Sequence, residues 1–198
     1  MYNKANLEVA TIIENSYRFG VVFEPEQTWA TNGEALIKIT TPLEKLEDFP
    51  ELSGKQELSN QIQIEKEDAF KIKKMIPKKA CMPILKNIVF TGIENGLAKF
   101  ATTDLSTATE IKARIKEGKP PDPASIYPET APVFSICFNV DLLLTVLKII
   151  KEAKENKSYA KKIKIDFWDK DKVARIQAKN SDTEQEIEAG IMPMKEGE

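Results

Sequence analysis

Apolar and polar residues alternate with a period of two through most of residues 82–115, MPILKNIVFTGIENGLAKFATTDLSTATEIKARI. Residues 84–91 are rich in β-branched and apolar side chains, and Glu94, Asn95 and Gly96 supply a tight turn. Residues 97–102 alternate, and residues 106–115 alternate again. In the last run Ala108, Glu110, Lys112 and Arg114 share one face, and Thr107, Thr109, Ile111, Ala113 and Ile115 share the other. That pattern predicts a half-buried antiparallel meander of three strands.

The flanks change period. Residues 58–64 alternate as a strand. From 65 to 76 the spacing turns helical, with Ala69, Ile72 and Ile76 inward and Lys71, Lys74 and Lys78 on the opposite side; Pro77 ends the helix. Five prolines between 118 and 132 (Pro120, Pro121, Pro123, Pro128 and Pro132) exclude a sheet interior and mark an extended linker. Residues 133–138 read as a strand, and Asn139 caps a leucine-rich helix over 140–151 that can run on to 156. Three further strands follow at 163–168, 173–179 and 184–192, with turns at 169–172 and 180–182.

At the front of the chain, Asn6 is placed to cap a short helix through Asn15. A strand over 18–24, a turn at Pro25 and Glu26, and an extended run over 28–41 broken by Thr31, Asn32 and Gly33 come next. Residues 42–54 are irregular and acidic, with Phe49 and Pro50 as an anchored turn.

The order β-α-β-β-β therefore occurs at 58–115 and again at 133–194, about seventy residues apart, which is an internal repeat. Residues 1–57 read as a third, shortened copy without its leading strand. The class is α+β. The expected division is a half-unit and linker over 1–57, followed by one complete domain over 58–194 whose halves are 58–118 and 133–194. Two such units joined edge to edge set two helices side by side on one continuous antiparallel sheet. Lys71, Lys74 and Lys78 would then lie near Lys148, Lys151 and, in a longer helix, Lys154.

Composition narrows the chemistry. The 198 residues are 41% apolar, enough for one ordinary core or two small ones. No apolar run approaches a membrane span and the first ten residues lack a signal-peptide layout, so a soluble cytoplasmic protein is expected. Cys81 and Cys137 sit in apolar contexts without metal-like spacing and are expected to be buried and reduced. Histidine is absent, which removes the usual general base, the histidine-paired nucleophiles and the commonest zinc ligand. Asp104, Asp166, Asp169 and Asp171 suit turns or strand ends better than a carboxylate site. There is no Walker motif, GxGxxG or metal signature, so the expectation is a protein that is not an enzyme and needs no cofactor. The net charge of −2 conceals segregation: acids dominate residues 1–57 and the tail from Asp182, while lysines crowd the two helices.

MPILKNIVF and FATTDLSTATEIKARI, within 82–115, resemble the "PIL-x-N" strand and "ATDL" strand start of the bacterial DNA sliding clamp, the β subunit of the replicative polymerase. FNVDLLLTVL at 138–147 resembles the helix entry of the clamp's last domain, IMPM at 191–194 its C-terminal strand, and EDFPEL at 47–52 the phrase that closes one clamp domain. ATNGEALIKI at 30–39 can be matched to the clamp's "ATDG-x-x-L" phrase or to the second half of a truncated domain. The resemblance covers 58–194 well and the first segment poorly. It implies a divergent, shortened clamp: a non-enzymatic, homo-oligomeric processivity factor encircling double-stranded DNA without reading sequence. Its DNA-facing residues would be Lys71, Lys74, Lys78, Lys148 and Lys151. It also implies that Met192, Pro193 and Met194 border a cleft for polymerase or other clamp-binding peptides. The alternative is a clamp-fold protein that has left the ring and serves as a peptide-binding or replication-regulating module. One full domain and about half of another do not multiply simply into a six-domain ring.

Overall fold

The computed structural model describes residues 1–13, 19–123, 130–153, 162–179 and 185–195. The chain divides into two units, Met1–Tyr127 and Pro128–Glu198.

In the first unit the elements are β1 (Tyr2–Asn3), α1 (Lys4–Glu8), β2 (Val21–Phe23), β3 (Gln27–Thr31), β4 (Leu36–Thr40), β5 (Ile62–Ile64), α2 (Lys66–Met75), β6 (Asn87–Glu94), β7 (Leu97–Thr103) and β8 (Ala108–Arg114). This is β-α-β-β-β twice. The predicted meander is present as β6–β7–β8, and its first turn carries Asn95 and Gly96 at φ 51° and 74°, the left-handed pair of a two-residue hairpin.

The two copies exchange their leading strands. β1 of the first copy pairs with β6 of the second (Tyr2 opposite Ile88), and β5 of the second pairs with β2 of the first (Val21 opposite Ile64, Phe23 opposite Ile62). The sheets β1-β6-β7-β8 and β4-β3-β2-β5 are therefore built from both copies. A bridge from Ile64 to Ile115 joins them, and the Lys116 N–H donates to the Gln63 carbonyl at 2.7 Å. At the exchange point Gly20 leaves room that a side chain would not, since a Cβ there would lie 2.4 Å from the Ile64 carbonyl oxygen.

One core holds the arrangement. Leu7, Phe23, Ile64, Ile72, Ile88 and Phe100 are all fully buried in it, so both helices and both sheets contribute. Phe49 anchors a smaller cluster with Val89 and Ala101, as its turn predicts.

α1 is fixed by polar contacts. Asn3 caps it, accepting from the Ala5 and Asn6 N–H groups, while Asn6 Oδ1 accepts from the Asn3 N–H at 3.0 Å. Asn6, expected to be the cap, is instead the third helical residue. Its fully buried amide donates to Thr28 Oγ1 and to the Ile39 and Thr40 carbonyls at 3.0–3.2 Å. Asn6→Ala should strand these acceptors and lower the stability of the first unit by about 1–3 kcal/mol, measured by urea denaturation. A smaller loss would mean that α1 is held by its apolar residues alone.

In the second unit, α3 (Val140–Ala153) precedes β9 (Lys164–Asp166), β10 (Ala174–Lys179) and β11 (Glu186–Ile191), with sheet order β11-β10-β9. Asn139 caps α3 as expected, its Oδ1 accepting from the Leu142 N–H at 3.0 Å. Leu143, Val146 and Ile150 set α3 on the sheet against Ile176 and Ile191. Of the strand expected at 133–138, only a bridge from Cys137 to Met194 forms.

Several expectations are corrected. The first copy keeps its leading strand, which at two residues shows no alternation to read. The division into 1–57 and 58–194 does not hold, because 1–57 and 58–115 share one core and exchange strands; the break falls inside the proline-rich linker. α2 accordingly shares its domain with α1, and α3 belongs to the other unit. Both cysteines are exposed, since neither local apolar context is covered by the fold. The turn expected at 180–182 lies outside the described residues.

Candidate nucleic-acid interface

α2 reads as an amphipathic helix and folds as one. Ala69, Ile72 and Ile76 are buried, Glu67 and Asp68 occupy its first turn, and Lys73 and Lys74 its last, a distribution that suits the helix dipole. Beside it the much shorter α1 leaves a groove of about 910 Å³.

Lysines from four separate places converge on this groove. Lys4 comes from the start of α1, Lys73 and Lys74 from the end of α2, Lys78 from just beyond Pro77, and Lys86 from the 3₁₀ turn Pro83–Lys86. Lys73 is neutralised across the two helices by Glu8 at 2.5 Å, and its amine lies 5.7 Å from the Phe70 ring centroid. Lys4, Lys74, Lys78 and Lys86 are exposed and make no ion pair among the described residues. The floor is apolar where Phe70, Ile76 and Pro77 line it. Four uncompensated amines around one concavity raise the local potential and favour a polyanion.

A second concavity of the same unit, about 580 Å³, has the opposite character, with Glu26, Glu44, Glu47 and Glu57 in its lining. Its lysines are paired, Lys45 to Glu47 at 3.3 Å and Lys55 to Glu51 at 3.5 Å. One unit thus carries a cationic and an acidic hollow, although the whole chain is nearly neutral.

Of the lysines expected to face DNA, Lys74 and Lys78 line the groove. Lys71 does not: its amine is tied to Asp68 at 2.7 Å, and that hydrogen bond, with the attraction of the carboxylate, raises its pKa. Lys148 and Lys151 are exposed on α3, in the other unit, and Lys154 lies outside the described residues. The proposed gathering of α2 and α3 lysines on one domain is therefore replaced by a gathering of α1, α2 and 3₁₀-turn lysines. Lys4, Lys73 and Lys86 were missed because none continues the helical spacing of Lys71, Lys74 and Lys78.

Met192 is exposed, Pro193 and Met194 are half-buried, and the Met194 N–H donates to the Cys137 carbonyl at 2.8 Å. Asp104 closes a turn, its Oδ1 accepting from the Thr107 and Ser106 N–H groups at 2.8 and 2.9 Å; these bonds hold its carboxyl below the usual range. Lys164 and Arg175 do the same for Asp166. Among the described residues no group of three or more carboxylates and cysteines could hold a metal ion, and no helix is long and apolar enough to cross a membrane.

No protein-family model matches the sequence, and no curated protein matches it. Solved structures do. The DNA polymerase III β chain of Streptococcus pneumoniae TIGR4 superposes with a TM-score of 0.66 at 15% identity, over 97% of this chain and 47% of that one. The DNA polymerase sliding clamp of Bacillus subtilis gives 0.61 at 12% identity, over 96% and 46%. This chain spans about half the length of either. With the β-α-β-β-β repeat, the exchanged leading strands and these superpositions in hand, the fold is that of the bacterial DNA sliding clamps, in divergent and shorter form.

Proposed function

We infer that this protein is a clamp-like, non-enzymatic processivity factor that holds duplex DNA through nonspecific phosphate contacts and tethers a polymerase or repair partner to it. The carrying observation is the groove between α1 and α2, with Lys4, Lys74, Lys78 and Lys86 unpaired among the described residues. Amines meeting phosphates contribute attraction through counterion release, and without base contacts no register on the helix is preferred. That combination allows sliding. In this reading the ring closes as a homo-oligomer.

The test is topological. The protein is incubated with nicked circular DNA and with the same DNA linearised, then passed through a sizing column at moderate salt. Retention on the circle with loss from the linear form is expected. Equal retention on both, or none on either, would remove the encircling role.

A second reading rests on the exposure of Met192 beside Pro193 and Met194. Flexible thioethers suit a cleft that accepts varied peptides, and a clamp fold that had left the ring would keep such a cleft as a peptide-binding or regulatory module. Under this reading, clamp-binding peptides would be captured with no salt-sensitive DNA association.

A further inference from the structure

Among its described residues the second unit carries one copy of the repeat, where the first carries two. Copies one and two complete each other by reciprocal strand exchange, and the third copy has the same order: a leading segment, α3, then β9, β10 and β11. Even its internal closure repeats, since Cys137 bridges Met194 as Ile64 bridges Ile115. What it lacks among the described residues is the other half. β9 is paired only to β10, whereas its counterparts β2 and β6 are each paired on both sides.

Exposure follows the same logic. In the first unit β2 is wholly buried and Ile64 of the leading strand is inaccessible. In the second unit Ile165 of β9 is 40% exposed, and Phe138, which precedes the cap of α3 as Ile64 precedes that of α2, is only half-buried. The helices can be matched through their sheet-facing stripes, Ala69, Ile72 and Ile76 against Leu143, Val146 and Ile150. Phe70 and Lys73, which line the α1 side of α2, then correspond to Leu144 and Leu147. Leu144 is 47% exposed, and Val140 on the same flank is 65% exposed.

We propose that this face binds the same face of a second copy of this chain, two half-domains combining into one whole clamp-type domain. The occupant is argued from the first unit, where joining two copies is a two-fold operation: each gives its leading strand to the other. A face that works by such exchange is complementary to itself, which is what an isologous dimer requires. The charges fit as well. Asp141 opens α3 while Lys148 and Lys151 close it, and a two-fold pair runs the helices antiparallel, setting each acid near the other chain's amines. In the first unit one ion pair, Lys73 to Glu8, joins the two helices. This joint stands independently of whether the groove of the first unit binds DNA.

The full-length chain is studied by sedimentation equilibrium over a hundredfold concentration range. A reversible dimer is expected, with its dissociation constant raised at least tenfold by Leu144→Glu and leaving the buried Trp29 emission of the first unit unchanged. The exchange also sets a register. Ile165, opposite Ile176 on the α3 side of β9, corresponds to the core-facing Phe23, which places Lys164 where Val22 stands, and Cys137, two residues before the α3 cap, corresponds to Gln63, the partner of Val22. In a Cys81→Ser background, Lys164→Cys should give a disulfide-linked dimer with Cys137 of the second chain under mild oxidation. A monomer at every concentration would overturn the proposal. So would a dimer indifferent to Leu144→Glu, or one that yields no crosslink, because another surface or another protein would then be the partner.

Discussion

Alanine in place of Lys4, Lys74, Lys78 and Lys86 together should reduce DNA affinity by about a hundredfold at low salt and remove most of its salt dependence. If each amine neutralises one phosphate, four contacts give a slope of about −3.6 in log K against log salt, or roughly a hundredfold loss between 50 and 200 mM. The quadruple variant should approach a flat line. Fluorescence anisotropy with a labelled duplex, repeated over a salt series, measures both quantities. Lys71→Ala is the internal control: its amine is engaged by Asp68 and lies outside the groove, so affinity should change by less than about twofold. If Lys71 proves as important as the other four, the polyanion contacts the outer side of α2 and the groove assignment fails.

Phe23→Ala should cost the first unit about 3–5 kcal/mol. Phe23 is fully buried at the place where the two copies meet. Its ring stands edge-on to Tyr2 at 4.9 Å between centroids and tilted against Phe100 at 5.1 Å. Tyr2 lies on the leading strand of the first copy and Phe100 on the meander of the second, so truncation opens a cavity that both copies line. The Tyr2 hydroxyl donates to the Glu24 carbonyl at 2.8 Å, and burial together with the nearby Glu24 carboxylate pushes its pKa up; the aromatic cluster thus also carries a fixed polar contact. Trp29 is buried in the first unit and Trp168 exposed in the second, so the blue-shifted emission reports on the affected part. Urea titration of that signal should show an earlier midpoint, with Phe23→Leu recovering most of the loss. A change below about 1 kcal/mol would mean that the copies are joined mainly by their strand pairing.

Much of the architecture was legible along the chain because it is local. The β6–β7–β8 meander, the inward stripe of α2, the Asn139 cap and the turn at Asn95 and Gly96 follow from periodicity and turn chemistry that each segment carries in itself. The β-α-β-β-β repeat was legible for the same reason, and with it the α+β clamp fold that the solved structures match. The β1 strand was not, since two residues display no period, and Asn6 misled because an amide at that position can cap a helix or be buried as a crosslink.

The amino-acid order by itself determined which residues turn inward from each strand and helix, and hence the repeating unit. Only the tertiary structure decided which units are partners. Alternation tells a strand which of its sides is apolar but says nothing about the strand it will lie beside, and all three copies present similar edges. That choice was made by long-range packing, through Tyr2, Phe23 and Phe100 from distant parts of the chain. The same packing brought Lys4 and Lys86 to Lys74 and Lys78, a convergence invisible to any spacing rule because those lysines are neighbours only once α1 is seated on the sheet.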